Sequence, residues 1–230
     1  MGKGEWLRTI LCLIVMMWLP LVNWTTARAG ADFLGLVERA TPAEVQMAID
    51  GGADIGIRNE FGMSALMVAV TTNEDREVIQ ILVETGADLE DRDIYGWTVL
   101  MLAAAWNQNA DIIRALIEAK VGLDVQNDQG ETALMLAAAM NKNPEVILAL
   151  LGAGASLNIQ DKEGRTALMH AAGWSSNLTV VQLLVDAGAI VSLRDAHGRN
   201  ASDYFKENEN ILGAEVYWKS IAKGALVTKD

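Results

Sequence analysis

Hydrophobic residues recur in this chain in two alternating patterns. From Val99 to Ala105 every residue is apolar, which predicts a short helix whose small alanines permit close approach of the next repeat. A few residues later Ile112, Ile113, Leu116 and Ile117 form a single stripe at helical spacing, with Asp111 just before them and Arg114 among them. The stripe returns as Val78/Ile79/Leu82/Val83, Val146/Ile147/Leu150/Leu151 and Val180/Val181/Leu184/Val185. Gly62, Gly96, Gly130, Gly164 and Gly198 mark the same period of 34 residues, with Leu66, Leu100, Leu134 and Leu168 each four residues further on. Units this short bury their apolar faces only against their neighbours. The fold expected is therefore an all-α repeat solenoid that works through an extended surface rather than a pocket.

The polar residues between these patterns act as punctuation. Asp93-Ile94-Tyr95-Gly96 reads as a turn in which Asp bonds its own backbone and Gly supplies positive φ. Asp75, Asn109, Asn143 and Asn177 stand as N-caps of the striped helices, and Pro144 takes a first helical position where its missing N–H costs nothing. Those helices stop at Gly86, Gly154 and Gly188, where a left-handed residue is expected; Lys120 stands where the others have Gly. The ends depart from the pattern, as solenoid caps must. Phe33 to Arg39 suggests a helix without the turn signature, followed by Thr41-Pro42-Ala43-Glu44 as a capping box. After Gly198 the polar run Asn200-Ala201-Ser202-Asp203 replaces apolar residues, and Ala214 to Ile221 reads as a closing helix.

Before the repeats, Lys3 and Arg8 precede an apolar run from Ile10 to Val22, and Ala27-Arg28-Ala29 supplies small residues at a cleavage position. This order describes a secretory signal peptide over residues 1–29, and the run is short of the roughly 20 residues of a membrane span. An uncleaved anchor is the alternative. The chain has 18 Lys and Arg against 30 Asp and Glu, a net charge of −12, and loss of Lys3, Arg8, Arg28 and Glu5 with the leader makes the remainder more acidic still. Such a surface repels phosphate backbones and argues against nucleic acid as a partner. The one cysteine, Cys12, lies in the leader. His170 and His197 have no metal-ligand spacing, so no metal or cofactor site is expected, and His170 is expected to be packed or hydrogen-bonded. Asp88 to Asp93 is acidic but lacks the spacing of a calcium loop. No nucleophile–base constellation or phosphate loop is visible, so the chain is not expected to be an enzyme. An unrecognised site on the inner face of the stack is the competing reading.

Gly-x-Thr-Ala-Leu-Met-x-Ala-Ala, a second helix and then Gly-Ala-Asp resemble the ankyrin repeat across nearly all of residues 31–210. The resemblance implies a slightly curved stack of helix–turn–helix units with β-turn fingers. Its units would be an N-terminal cap over 30–57, repeats over 58–91, 92–125, 126–159 and 160–193, and a C-terminal cap over 194–230. Two departures stand out. The period is 34 rather than 33, and the family's usual Thr-Pro-Leu-His becomes Thr98-Val99-Leu100-Met101 and its counterparts, so packing by Met is expected in place of the His hydrogen bonds.

The family binds other proteins through its finger tips and the exposed side of the first helix. Mapped onto this chain, that surface takes Phe61 and Met63 from the first full repeat and Tyr95, Trp97 and Trp106 from the second. Gln129, Glu131 and Met140 come from the third, and Glu163, Arg165 and Trp174 from the fourth. Trp97 has no evident neighbour within the chain and is expected to stand out as a binding anchor. Trp106 and Trp174 share one register position and either pack over the next inter-helix loop or face a partner. The expectation is a monomeric, exported interaction module, periplasmic or extracellular, with a protein partner and membrane contact only if the leader is retained.

Overall fold

The computed structural model describes residues 29–208, and eleven helices cover most of them. They are α1 (Ala29–Val37), α2 (Pro42–Asp50), α3 (Ala65–Thr72), α4 (Arg76–Glu84), α5 (Val99–Trp106) and α6 (Ala110–Glu118). There follow α7 (Ala133–Met140), α8 (Pro144–Gly152), α9 (Ala167–Trp174), α10 (Leu178–Asp186) and α11 (Ala201–Glu207). Odd-numbered helices pack in chain order in one row and even-numbered helices in a second, giving the all-α solenoid that the sequence predicts. The leader up to Arg28 and the closing helix expected at Ala214 to Ile221 lie outside the described residues. No described helix is long and apolar enough to cross a membrane.

The odd row is the dry layer. Val99 to Ala105 are all buried, and Ala103, Ala104 and Ala105 keep the backbones of successive helices close. The even row is amphipathic, burying Ile112, Ile113 and Leu116 of α6 while Asp111, Arg114 and Glu118 face water. Each even helix from α4 to α10 starts as read from the sequence, the side chains of Asp75, Asn109, Asn143 and Asn177 accepting from the amide two residues on. Each stops on a residue at positive φ, and Lys120, at 66°, takes the position filled elsewhere by Gly86, Gly154 and Gly188.

Methionine does more than pack. Thr98 Oγ1 accepts from the Met101 amide at 3.4 Å while Met101 Sδ accepts from the Thr98 amide at 3.4 Å, and Thr132 with Met135 repeats both contacts. The sulfur closes a capping box that Glu or Gln normally closes, which corrects the expectation that Met contributes packing alone. Ser64, at the matching position, makes no cap bond, and its buried Oγ has no partner.

A row of buried side-chain amides ties the repeats together where the sequence showed only a helix breaker. Asn107 Nδ2 donates to the carbonyls of Val70 (2.9 Å) and Asn73 (3.1 Å), and Asn141 Nδ2 to those of Ala104 and Asn107. Asn73 bonds Val37 and Ala40 likewise, and Asn208 bonds Ala172 and Ser175. Ser175 interrupts the row because its side chain is too short to reach back across the repeat.

The fingers form a second seam. The Ile94 amide donates to the Phe61 carbonyl, Asp128 to Tyr95, Lys162 to Gln129 and Ala196 to Glu163, at 2.8–3.2 Å. Glycine permits this approach, since a Cβ on Gly96 would lie 2.9 Å from the Asp128 nitrogen and one on Gly130 2.8 Å from that of Lys162.

Candidate functional site

Two register positions come together along the groove between the fingers and the odd helices in the second and fourth full repeats: the residue after the finger glycine and the residue that ends the odd helix. In the second full repeat these are Trp97 and Trp106, whose rings stack with centroids 4.8 Å apart and planes 13° from parallel. In the fourth they are Arg165 and Trp174, the guanidinium lying 5.4 Å from the indole centroid. Glu131 and Met140, both half-buried, hold the same two positions in the third. The groove therefore runs from an aromatic pair, through an acid and a thioether at the matching positions, to a cation on an indole.

Trp97 is the clearest difference from expectation. It is 8% exposed and belongs to the core cluster, because the finger folds back and lays its indole on Trp106. Nine residues of separation conceal that neighbour from a local reading. Met63, one repeat earlier, is buried in the same way and is not part of the exposed surface. Phe61 is half-buried with its carbonyl committed to the next finger. Tyr95 (44% exposed) and Ile94 (57%) stand at the tip of that next finger, held by Asp93 Oδ1, which accepts from the amides of Tyr95 (2.8 Å) and Trp97 (2.9 Å). Burial pushes the Asp93 carboxyl up from its ordinary range, against the pull of those amides, and Asp128 nearby adds to the rise. Gln129 is exposed, and Glu163 is half-buried.

Trp174 is 40% exposed and is held from three sides, by Arg165, by His170 (ring centroids 5.2 Å apart) and by Tyr204 (5.6 Å). It does not stand free. Its partners belong to a buried polar cluster. Asp161 Oδ1 accepts from the amides of Glu163 and Arg165, and its Oδ2 from Arg165 Nε at 2.7 Å, with His170 Nε2 at 2.9 Å. Burial alone would raise the Asp161 pKa, but the His170 bond, the Arg165 amide and the Arg165 guanidinium outweigh it and bring the carboxyl down to about 2. The next unit repeats the plan with tyrosine. Tyr204 Oη donates to Asp195 Oδ2 at 2.6 Å, Arg199 Nε donates to the same oxygen, and the Arg199 guanidinium lies 4.4 Å from the Tyr204 ring centroid.

Glu131 comes close to this cluster, so that one ligand-type atom each of Glu131, Asp161 and His170 falls within 4.8 Å of the others. Ligand spacing along the chain could not show it, because the three come from two adjacent repeats. The donor set suits a metal poorly. Asp161 Oδ2 is already shared by a guanidinium and an imidazole, and an incoming cation would have to displace both. His170, buried as expected, has Nε2 on Asp161 rather than on a hydroxyl or thiol, so the pair positions Trp174 and Arg165 more readily than it activates a nucleophile.

The protein family of ankyrin repeats (3 copies) matches residues 37–125 and 104–195. No curated protein matches the chain. Among solved structures, the chain is similar to a chain in the complex of the Bd0816 predatory endopeptidase from Bdellovibrio bacteriovorus with immunity protein Bd3460. Sequence identity is 26% and the TM-score 0.66, covering 81% of this chain and 94% of that one.

Proposed function

Because this chain belongs to the ankyrin-repeat family, we propose that it is an exported, non-catalytic binding module that docks a protein partner through its finger tips and odd-helix face. The observation that carries the reading is the set of large side chains held rigid yet exposed on that one side. Ile94 and Tyr95 project from a finger braced by Asp93, and Trp174 is gripped by three neighbours with much of its ring in water. Preordered aromatics lose little entropy on binding and serve as anchors. The acid balance of the chain favours a protein over nucleic acid. Likeness to a chain from an endopeptidase–immunity protein complex supports an endopeptidase as the partner class.

Photo-crosslinking residues placed at Tyr95 and Trp174 test the proposal, with Leu148 of α8, an exposed apolar residue on the opposite row, as control. The expected result is one crosslinked partner with endopeptidase activity. Equal crosslinking at Leu148, or a partner without that activity, refutes it. N-terminal sequencing of the exported protein should begin at Gly30; an intact Met1 in membranes would favour the anchored form.

A further inference from the structure

Among the described residues, the middle of the groove holds more carboxylate than cation. Arg165 is shared by Asp161 (2.7 Å) and Glu163 (3.0 Å) and its side chain is largely covered, while Lys162 on the next finger is exposed. Glu131 is the third carboxylate. It accepts from Asn127 Nδ2 at 2.9 Å and, among the described residues, forms no ion pair. Asp128, exposed on the same finger, adds a further negative charge. A half-buried carboxylate has lost part of its hydration without a direct ion pair to replace it, so a cation delivered from outside is favoured there.

Resting on the protein-binding reading above, we infer that Glu131 receives a basic side chain, an arginine or a lysine, projecting from a loop of the protein partner. The register supplies what such a side chain needs. Met140 and Glu131 hold the register positions of Trp106 with Trp97 and of Trp174 with Arg165, so a long aliphatic stem reaching Glu131 would find a thioether in the same rung and indoles in the rungs on either side. A loop bearing apolar residues on both sides of the basic one would also reach Tyr95 and Trp174, the exposed aromatics at the two ends of this stretch. An ammonium or guanidinium approaching Glu131 need not break the Asp161–Arg165–His170 contacts, as a metal bound to all three ligands would.

The probe is a library of disulfide-closed random heptapeptides selected against the intact protein. The expected binders carry Arg or Lys flanked by apolar residues, bind at least about tenfold more weakly to Glu131→Gln, and weaken with added salt. Glu131→Asp, which keeps the charge, should recover part of the affinity, and Glu60→Gln, on another finger, should change nothing. A Glu131→Gln protein with an unaltered melting curve shows that the loss is one of contact rather than of fold; if that variant melts early, the salt dependence and the Glu131→Asp result decide. Binders without basic residues, equal affinity for Glu131→Gln, or no binders at all overturn the inference. Acidic or wholly apolar binders that still map to Tyr95 and Trp174 would leave the protein-binding reading standing.

Discussion

The indole of Trp97 lies flat on that of Trp106, 4.8 Å away, so the finger that carries Trp97 is fastened to the end of its own odd helix. An aromatic beside a turn glycine thereby becomes a structural clamp, and the exposed members of the finger are its neighbours Ile94 and Tyr95. Replacing Trp97 with Ala should cost about 3 kcal/mol, in the range of buried aromatic truncations. Tyr95→Ala should cost within about 0.5 kcal/mol, as exposed substitutions do. Urea midpoints of the two variants give the comparison, and similar midpoints would place Trp97 outside the core.

Ser175 offers a gain. It occupies the place held by Asn73, Asn107 and Asn141, and its backbone is extended as theirs is. Asn at this position would supply donors for the carbonyls of Ala138 and Asn141, as Asn141 does for Ala104 and Asn107. Ser175→Asn is expected to add about 1 kcal/mol, and Asn107→Ala to remove about 2 kcal/mol or more by stranding two buried carbonyls. Thermal melts that place Ser175→Asn below the parent would show that the fourth repeat lacks room for the longer side chain.

Lys120 sits at φ 66° with a Cβ that the equivalent glycines do not carry. Lys120→Gly should therefore stabilise the solenoid by about 1 kcal/mol. An unchanged or lower urea midpoint would mean that the lysine gains elsewhere what its backbone loses.

Asp161 makes the fold sensitive to acid. Its folded pKa of about 2 lies below the ordinary 3.8, so it contributes stability that is fully present above about pH 4 and is lost as the pH falls towards 2. The size is roughly 2 kcal/mol. Asp161→Asn should be less stable than the parent at pH 6, and the gap should narrow through this window. A gap constant from pH 6 to pH 2.5, measured by urea unfolding, would show that the pairing with Arg165 and His170 does not drive the shift.

What the sequence made legible is what neighbouring residues decide among themselves. Thr41 and Glu44, Asn109 with Asp111, Pro144 and the stop at Lys120 all act within a turn of helix, and each is found as read. The parts that escaped reading depend on contacts between units. Trp97 reads locally as a free anchor because its stacking partner ends a helix nine residues away. Asn107 looked like a helix breaker, although its recurrence as Asn73 and Asn141 at the full period was a visible sign of a second task. His170 and Tyr204 each stand nine residues after an aspartate, and that shared offset is the signal that could have revealed the two buried clusters. Glu131 joins the first of them only when two repeats are stacked.

The finger seam also bears on how such a protein changes over generations. Each finger amide donates to the carbonyl thirty-three residues earlier, from Ile94–Phe61 to Ala196–Glu163, so every joint is built alike and points the same way. A slip in the gene that copies or drops one whole period leaves the surviving joints matched, whereas a slip of any other size misaligns every finger beyond it. Lineages can thus widen or narrow the stretch of partner they grip in steps of one unit, while single substitutions between finger and helix alter what each unit holds.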